Sequence, residues 1–147
     1  KSYDMTARFA PQARASAEDA HALVQRAAAI LRSQGPAALI AQVNTPGNTE
    51  LIDRDLYLVL YSTDVHCVAH GTNTRLVGVD GRNFQDSDGK RFVADIVAAA
   101  LRQGSGHVTY RWLHPLTQQV MAKSAYFERH GDLVLSCGAY VADGNSG

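Results

Sequence analysis

The C-terminal third of the chain limits the possible folds most strongly, because it holds two long β-like segments joined by a very short connection. Residues 120–129 and 132–140 are rich in β-branched, aromatic and small apolar residues, and only His130 and Gly131 separate them. A two-residue connection that contains glycine is typical of a β-hairpin, since glycine readily adopts positive φ. A hairpin joins antiparallel strands, so the sequence predicts an antiparallel sheet.

Three further strands are predicted earlier in the chain. Residues 106–113 alternate apolar with more polar side chains, as a half-buried strand does. Residues 55–61 form an apolar run typical of a buried strand, and residues 67–70 form a short one. Four glycines mark residues 71–89 as a long loop. The predicted sheet therefore has five strands.

Two long helices and one short helix complete the prediction. Apolar residues recur at helical spacing over residues 16–34, where Ser16 suits the N-cap, and again over residues 91–103. Pro36 suits the first turn of a shorter helix over residues 36–43. This order indicates an α+β fold of PAS-like architecture: a five-stranded antiparallel sheet, a long N-terminal helix behind it and a second helix that crosses it.

The size and composition fit a single domain. The chain has 147 residues, of which 46% are hydrophobic and 19% charged, as expected for one hydrophobic core. We assign residues 16–140 to this domain, 1–15 to an N-terminal segment and 141–147 to a tail. Fourteen basic residues balance fourteen acidic ones, so nucleic acid is not an expected partner. We expect neither a bilayer-spanning helix nor a signal peptide within this sequence.

Several short motifs follow one another along most of the chain. They include Asp-Leu-Tyr-Leu-Val-Leu-Tyr at 55–61, Val-Ala-His at 68–70, Asp-Gly-Lys-Arg-Phe-Val at 88–93, Gly-Ser-Gly at 104–106 and Lys-Ser-Ala-Tyr at 123–126. This ordered set resembles the single Cache domain family, the sensor modules of bacterial chemoreceptors and histidine kinases. The resemblance implies a periplasmic or extracytoplasmic location and a pocket for a small metabolite, often a short carboxylate. It leaves open a domain of a membrane receptor, a homodimer through the N-terminal helix, and a free-standing binder.

The candidate ligand-binding residues are one lysine, one histidine and four aromatic residues with a polar tip. They are Lys123, His70, Tyr57, Tyr110, Trp112 and Tyr126. An aromatic ring of this kind packs against a ligand while its hydroxyl or indole N–H donates a hydrogen bond. Two interpretations stay open for the tyrosines and for His70, because both residue types also occur as ordinary core side chains.

Lys123 is the most informative candidate, since it lies between Met121 and Ala125 on one face of a largely apolar strand. A buried ammonium is costly, so it must reach water, pair with an acid or meet an anionic ligand. An exposed edge strand and a pocket wall are both compatible with this pattern. If the ligand is a carboxylate, Lys123 is the expected cation.

No motif indicates a metal, a cofactor or a catalytic centre. His66 and His70 have metal-like spacing, but Cys67 between them points to the other face of a strand. The aspartates before Gly89 lack the closing glutamate of a calcium loop. Capping of the second long helix by Asp86 or Asp88 is the better explanation of those acids.

The function that fits best is an extracytoplasmic domain that binds a small organic acid without catalysis. The alternative is a small enzyme that uses His70 or His107 as a general base. Cys67 and Cys137 are expected to be free thiols, because their predicted strands are not obvious neighbours in a PAS-like sheet.

Overall fold

The structure, a computed structural model, describes residues 14–141 and has the predicted α+β class. Most of the N-terminal segment and of the tail lies outside these residues. The helices are α1 (Ala17–Gln34), α2 (Pro36–Asn44) and α3 (Phe92–Gln103). The strands are β1 (Ile52–Asp53), β2 (Leu56–Ser62), β3 (Cys67–His70), β4 (Ser105–Leu113), β5 (Val120–His130) and β6 (Leu133–Tyr140).

Helix α1 begins at the predicted cap. The Ser16 hydroxyl accepts a hydrogen bond from the Asp19 N–H at 3.1 Å, and the Asp19 carboxylate accepts one from the Ser16 N–H at 2.9 Å. This reciprocal pair forms a capping box, which satisfies two backbone donors at the helix start. Gly35 ends α1 with a φ of 92°, and Pro36 begins α2. The predicted start and end of this helix are confirmed.

All strand pairs are antiparallel, and the five main strands lie in the order β3-β2-β6-β5-β4. Strand β1, which the sequence did not indicate, pairs with the first two residues of β2. The hairpin between β5 and β6 turns at Gly131 and Asp132, one residue later than predicted. Gly131 takes the first turn position with a φ of 62°, which glycine adopts without strain.

The sheet separates the buried side chains into two layers, because successive strand residues point to opposite faces. We call one side the α1 face; there α1 and α2 pack on Leu56, Leu58, Leu60, Leu133, Leu135 and Cys137. We call the other side the cavity face; there α3 packs on Tyr57, Val59, Tyr61, Tyr110, Ala125, Phe127 and Val134.

The two cysteines lie in different layers. Cys67 is on the cavity face and Cys137 is on the α1 face, and both are buried free thiols. Burial raises the pKa of the Cys67 thiol to about 11 and that of the Cys137 thiol to about 12. The prediction of free thiols is confirmed.

Asp86 fastens the long loop between β3 and α3, and it does not cap α3 as predicted. The N-cap position of α3 is Arg91, which makes no side-chain cap hydrogen bond. One oxygen of Asp86 instead accepts from the N–H groups of Asp88 and Lys90, at 2.9 and 2.8 Å, and the other accepts from the Arg111 N–H on β4 at 2.9 Å. The cap prediction is wrong because the carboxylate serves the loop and the neighbouring strand.

Asp55 joins the beginning of α1 to the turn between β4 and β5. Its buried carboxylate accepts from the Ala15 N–H at 2.8 Å and from Nε2 of buried His114 at 3.1 Å. Nδ1 of His114 accepts from the N–H groups of Leu116 and Thr117 at 3.1 and 3.3 Å. The ring proton therefore lies on Nε2, which donates to Asp55.

We predict that Asp55→Asn lowers the free energy of unfolding by about 1–3 kcal/mol. The amide group has a single acceptor oxygen, so one of the two buried donors loses its partner. Urea unfolding of the variant measures this loss. The control is Asp88→Asn on an exposed residue, which should change stability by less than about 0.5 kcal/mol. Equal stabilities of Asp55→Asn and the control would contradict the role of Asp55.

Candidate functional site

A cavity lies on the cavity face, enclosed by β2, β4, β5, α3 and the loop after β3. Its inner part is small, with about 30 Å³ open to the centre of a water-sized sphere. An outer part of about 270 Å³ adjoins it and shares four wall residues: Tyr57, His70, Leu76 and Trp112. One ordered water needs about 10–15 Å³ by the same measure. The inner part therefore suits a group of only a few heavy atoms.

Five of the six predicted site residues line this inner cavity. They are Tyr57, His70, Tyr110, Trp112 and Lys123. They come from four strands, with Tyr110 and Trp112 on β4 and the other three on β2, β3 and β5. The tyrosines, the tryptophan and the lysine point to one side of the sheet through the alternation of strand side chains.

Tyr126 is the exception, and its inclusion in the same pocket is corrected by the structure. It follows Lys123 by three residues on β5, so the two side chains leave opposite faces of the sheet. Tyr126 packs in the α1-face layer, with its ring centre 4.4 Å from that of His21 on α1. Its hydroxyl donates to the Glu128 carboxylate.

Lys123 brings a positive charge to the wall of an otherwise mainly apolar cavity. The residue is only 2% exposed, and Nζ donates a hydrogen bond to the Tyr57 hydroxyl at 2.7 Å. Nζ also lies 4.1 Å from the ring centre of Tyr57 and 5.0 Å from that of Tyr140. Among residues 14–141, no carboxylate lies within 4.0 Å of this ammonium.

Gly138 makes room for the lysine side chain on the neighbouring strand β6. A Cβ atom at residue 138 would lie 2.4 Å from Cε and 2.8 Å from Cγ of Lys123. Such distances are far below van der Waals contact, so any larger residue would displace the lysine stem. The glycine allows the stem to lie flat on β6 with Nζ at the cavity wall.

Two opposing effects act on the charge of Lys123. Burial disfavours the ammonium, while the surrounding tyrosines, first Tyr110 and then Tyr57, favour it. The net effect raises the pKa of Lys123 above its ordinary value. The side chain therefore remains a cation at neutral pH, and its positive charge is directed to the cavity.

His70 supplies a neutral donor beside this cation. Its Nδ1 accepts from the N–H groups of Thr72 and Asn73, at 3.2 and 3.0 Å. Burial and the nearby Lys123 lower the pKa of His70 to about 4, so the ring is neutral and its proton lies on Nε2. Within residues 14–141, this Nε2–H has no protein acceptor, which leaves it available to a ligand.

Aromatic rings close the rest of the inner cavity. Phe92, the first residue of α3, stacks on Tyr110 with ring centres 4.0 Å apart and planes 9° from parallel. The ring centre of Phe84, from the loop, lies 5.5 Å from that of Trp112. Neither phenylalanine was among the site residues predicted from sequence, because the path of the loop and the docking of α3 bring them to the wall. The apolar spacing of α3, which places Phe92 on its buried face, was the available signal.

The described part of the chain contains neither a candidate metal site nor a helix suited to spanning a membrane. No group of three or more His, Cys, Asp or Glu side chains within residues 14–141 is arranged to hold a metal ion. In the same range, every helix falls short of the length and apolar character that crossing a bilayer requires.

Solved structures share this fold over most of its length. A methyl-accepting chemotaxis protein from Vibrio parahaemolyticus has a TM-score of 0.70 and 18% identity, covering 84% of this chain and 86% of that one. A periplasmic sensor domain of a chemotaxis protein has a TM-score of 0.66 and 24% identity, covering 96% and 100%. A Cache chemosensory domain described for carboxylic acid recognition has a TM-score of 0.69 and 24% identity, covering 85% and 92%.

The comparisons of sequence agree with this likeness. The methyl-accepting chemotaxis protein McpP of Pseudomonas putida strain KT2440 is 29% identical over 93 residues. The match covers 62% of this chain but only 17% of McpP, so the chain spans a small part of that relative's length. The model of the family Single Cache domain 2 matches residues 6–146. The chain therefore belongs to the Single Cache domain 2 family, whose members are extracytoplasmic ligand-sensing domains.

Proposed function

We propose that the inner cavity binds the carboxylate of a short monocarboxylic acid and that the chain is the sensing domain of a membrane chemoreceptor. The buried ammonium of Lys123 is the observation that supports this most strongly. A charge taken out of water needs a partner, and the described residues offer Nζ a phenol oxygen but no carboxylate. An anionic ligand supplies that partner.

The charges and donors of the cavity favour one carboxylate group. Lys123 is the positively charged wall residue, and neutral His70 adds one N–H donor. Tyr110 also lines this wall, and its hydroxyl has no hydrogen-bond partner within residues 14–141. A second carboxylate would lie against aromatic rings without a cation of its own, which is costly.

The size and the polarity of the wall restrict the rest of the ligand. The inner space of about 30 Å³ and the rings of Phe92 and Trp112 suit an alkyl group of one or two carbons. The carboxylic acid recognition described for a Cache domain at 24% identity supports the same ligand class. Acetate and propionate are therefore the first compounds to test.

The geometry gives no support to the alternative of a small enzyme. His70 uses Nδ1 to accept from the backbone and carries its proton on Nε2, so it offers a ligand a donor and no basic lone pair. His107 on β4 lies opposite Tyr126 on β5 in the sheet register, and their tilted rings are 5.3 Å apart between centres on the α1 face. We therefore propose binding without turnover of the ligand.

The proposed receptor role rests on the similarity of this chain to part of McpP. McpP is a methyl-accepting chemotaxis protein of which this chain spans 17%, so we propose that the domain reports its ligand to such a receptor.

The homodimer through the N-terminal helix, which is α1, stays a prediction. Sedimentation of the domain with and without propionate measures its oligomeric state.

We predict that Lys123→Met weakens the binding of propionate about tenfold or more, because a charge-assisted hydrogen bond contributes about 1.5–3 kcal/mol. Titration calorimetry of the folded variant measures this change. The matched control is Lys90→Met, which makes the same substitution on an exposed lysine of the loop. It should bind propionate like the wild type. A folded Lys123→Met protein with unchanged affinity would remove Lys123 from the site.

We also predict that His70 makes stability fall as the pH is lowered from about 6.5 to about 4. The pKa of His70 is near 4 in the folded protein and near 6.5 when unfolded. The unfolded state thus binds an extra proton in this window. The contribution of His70 to the free energy of unfolding, up to about 3 kcal/mol, is therefore lost as the pH falls.

Urea unfolding at several pH values tests the role of His70. The comparison is between the wild type and His70→Asn, whose side-chain oxygen can still accept from the backbone. The other histidines are common to both proteins, so the difference in pH dependence belongs to residue 70. The same pH dependence in both proteins would show that His70 is not held neutral by the fold.

A further inference from the structure

A directed series of hydrogen bonds leads away from the lysine of the cavity. Nζ of Lys123 donates to the Tyr57 hydroxyl at 2.7 Å, the hydroxyls of Tyr57 and Tyr140 lie 3.3 Å apart, and the Tyr140 hydroxyl donates to the Leu113 carbonyl at 2.7 Å. A carbonyl only accepts, so Tyr140 must donate to it. Tyr57 must then donate to Tyr140, and every hydrogen points away from the cation.

The series continues through the next residue to the beginning of α1. His114 directly follows Leu113, whose carbonyl accepts the hydrogen bond from Tyr140. The ring of His114 also lies beside that of Tyr140, with ring centres 4.6 Å apart. Nε2 of His114 donates to Asp55, and the same carboxylate accepts from the Ala15 N–H. Ala15 directly precedes the cap residue of α1.

Burial strengthens this connection. Tyr57, Tyr140, His114 and Asp55 are all buried residues, and none exceeds 4% exposure. Hydrogen bonds in such surroundings are electrostatically stronger than in water, and each polarises the next. The charge on Lys123 therefore polarises the two hydroxyls and strengthens the bond to the Leu113 carbonyl.

We propose that the series Lys123–Tyr57–Tyr140–His114–Asp55 couples the charge at the ligand site to the docking of the α1 N-terminus. The ligand part of this inference rests on the proposed function. A carboxylate bound at Nζ offsets the positive charge and weakens the polarisation of Tyr57 and Tyr140. The turn that carries His114 is then held less firmly, and with it the contact between Asp55 and Ala15.

The coupling acts in both directions, since linkage between two sites is reciprocal. Loosening Asp55 from Ala15 should alter the affinity for an anion, although Asp55 does not line the cavity. Tyr140 likewise does not line the inner cavity. It is a positioning residue that acts through Tyr57, and it is the point at which the series can be interrupted.

The first experiment needs no ligand and measures hydrogen exchange of the Ala15 amide by NMR. We expect Lys123→Met to speed this exchange by about threefold or more, the range typical of coupling between separated sites. In the Tyr140→Phe background, the same substitution should leave the exchange rate unchanged, because the series is already interrupted. Equal effects of Lys123→Met in the two backgrounds, or no effect in either, would overturn the proposal.

Two controls separate coupling from general loosening of the fold. Lys90→Met should leave the Ala15 rate unchanged. Asp19→Asn disturbs the capping box of α1 from outside the series, so Lys123→Met should keep its full effect in that background. If Tyr140→Phe does not fold, His114→Phe replaces it, since this change removes the hydrogen bond to Asp55 and keeps a ring beside Tyr140.

The second experiment adds saturating acetate to the wild type and to Tyr140→Phe, with binding verified by calorimetry. We expect faster Ala15 exchange in the wild type and no change in the variant. Binding of acetate to the wild type without an effect on Ala15 would overturn the coupling and leave the proposed function intact. Absence of acetate binding would count against the proposed ligand, while the ligand-free experiment still decides the coupling.

Discussion

The buried ammonium of Lys123 is the constraint around which the cavity face is organised. Placing this charge inside the domain costs free energy that the protein must offset. Tyr57 offers its hydroxyl and ring face, Tyr140 and Tyr110 add ring faces, and Gly138 opens the space for the lysine stem. The described residues provide aromatic and phenolic partners but no carboxylate, so the cation remains able to bind an external anion.

The same strands bear both the site and the contact with the N-terminal helix. On β2, Tyr57 faces the cavity, whereas Leu56 and Leu58 pack against the helices on the opposite face. Asp55 directly precedes these residues and holds both Ala15 and His114. A small displacement of β2 or of the β4–β5 turn therefore acts on both layers.

The sequence was sufficient for features that depend on local pattern. Ser16 as a cap and Lys123 as a cation in an apolar strand both follow from neighbours in the chain. Tyr126 was misplaced although strand alternation puts it opposite Lys123, so this error was avoidable. The cavity roles of Phe84 and Phe92 and the contacts of Asp55 with Ala15 and His114 depend on how distant segments dock. Local spacing does not encode such docking.

A crystal structure of the domain with bound propionate would show directly whether Lys123 and His70 hold the carboxylate of the ligand. We expect one carboxylate oxygen at about 2.7–2.9 Å from Nζ of Lys123, the usual distance of a charge-assisted hydrogen bond. We also expect a carboxylate oxygen to accept from the Nε2–H of His70, with the alkyl group against Phe92 and Trp112. Propionate bound elsewhere in the domain, with Nζ of Lys123 still bonded only to Tyr57, would contradict this expectation.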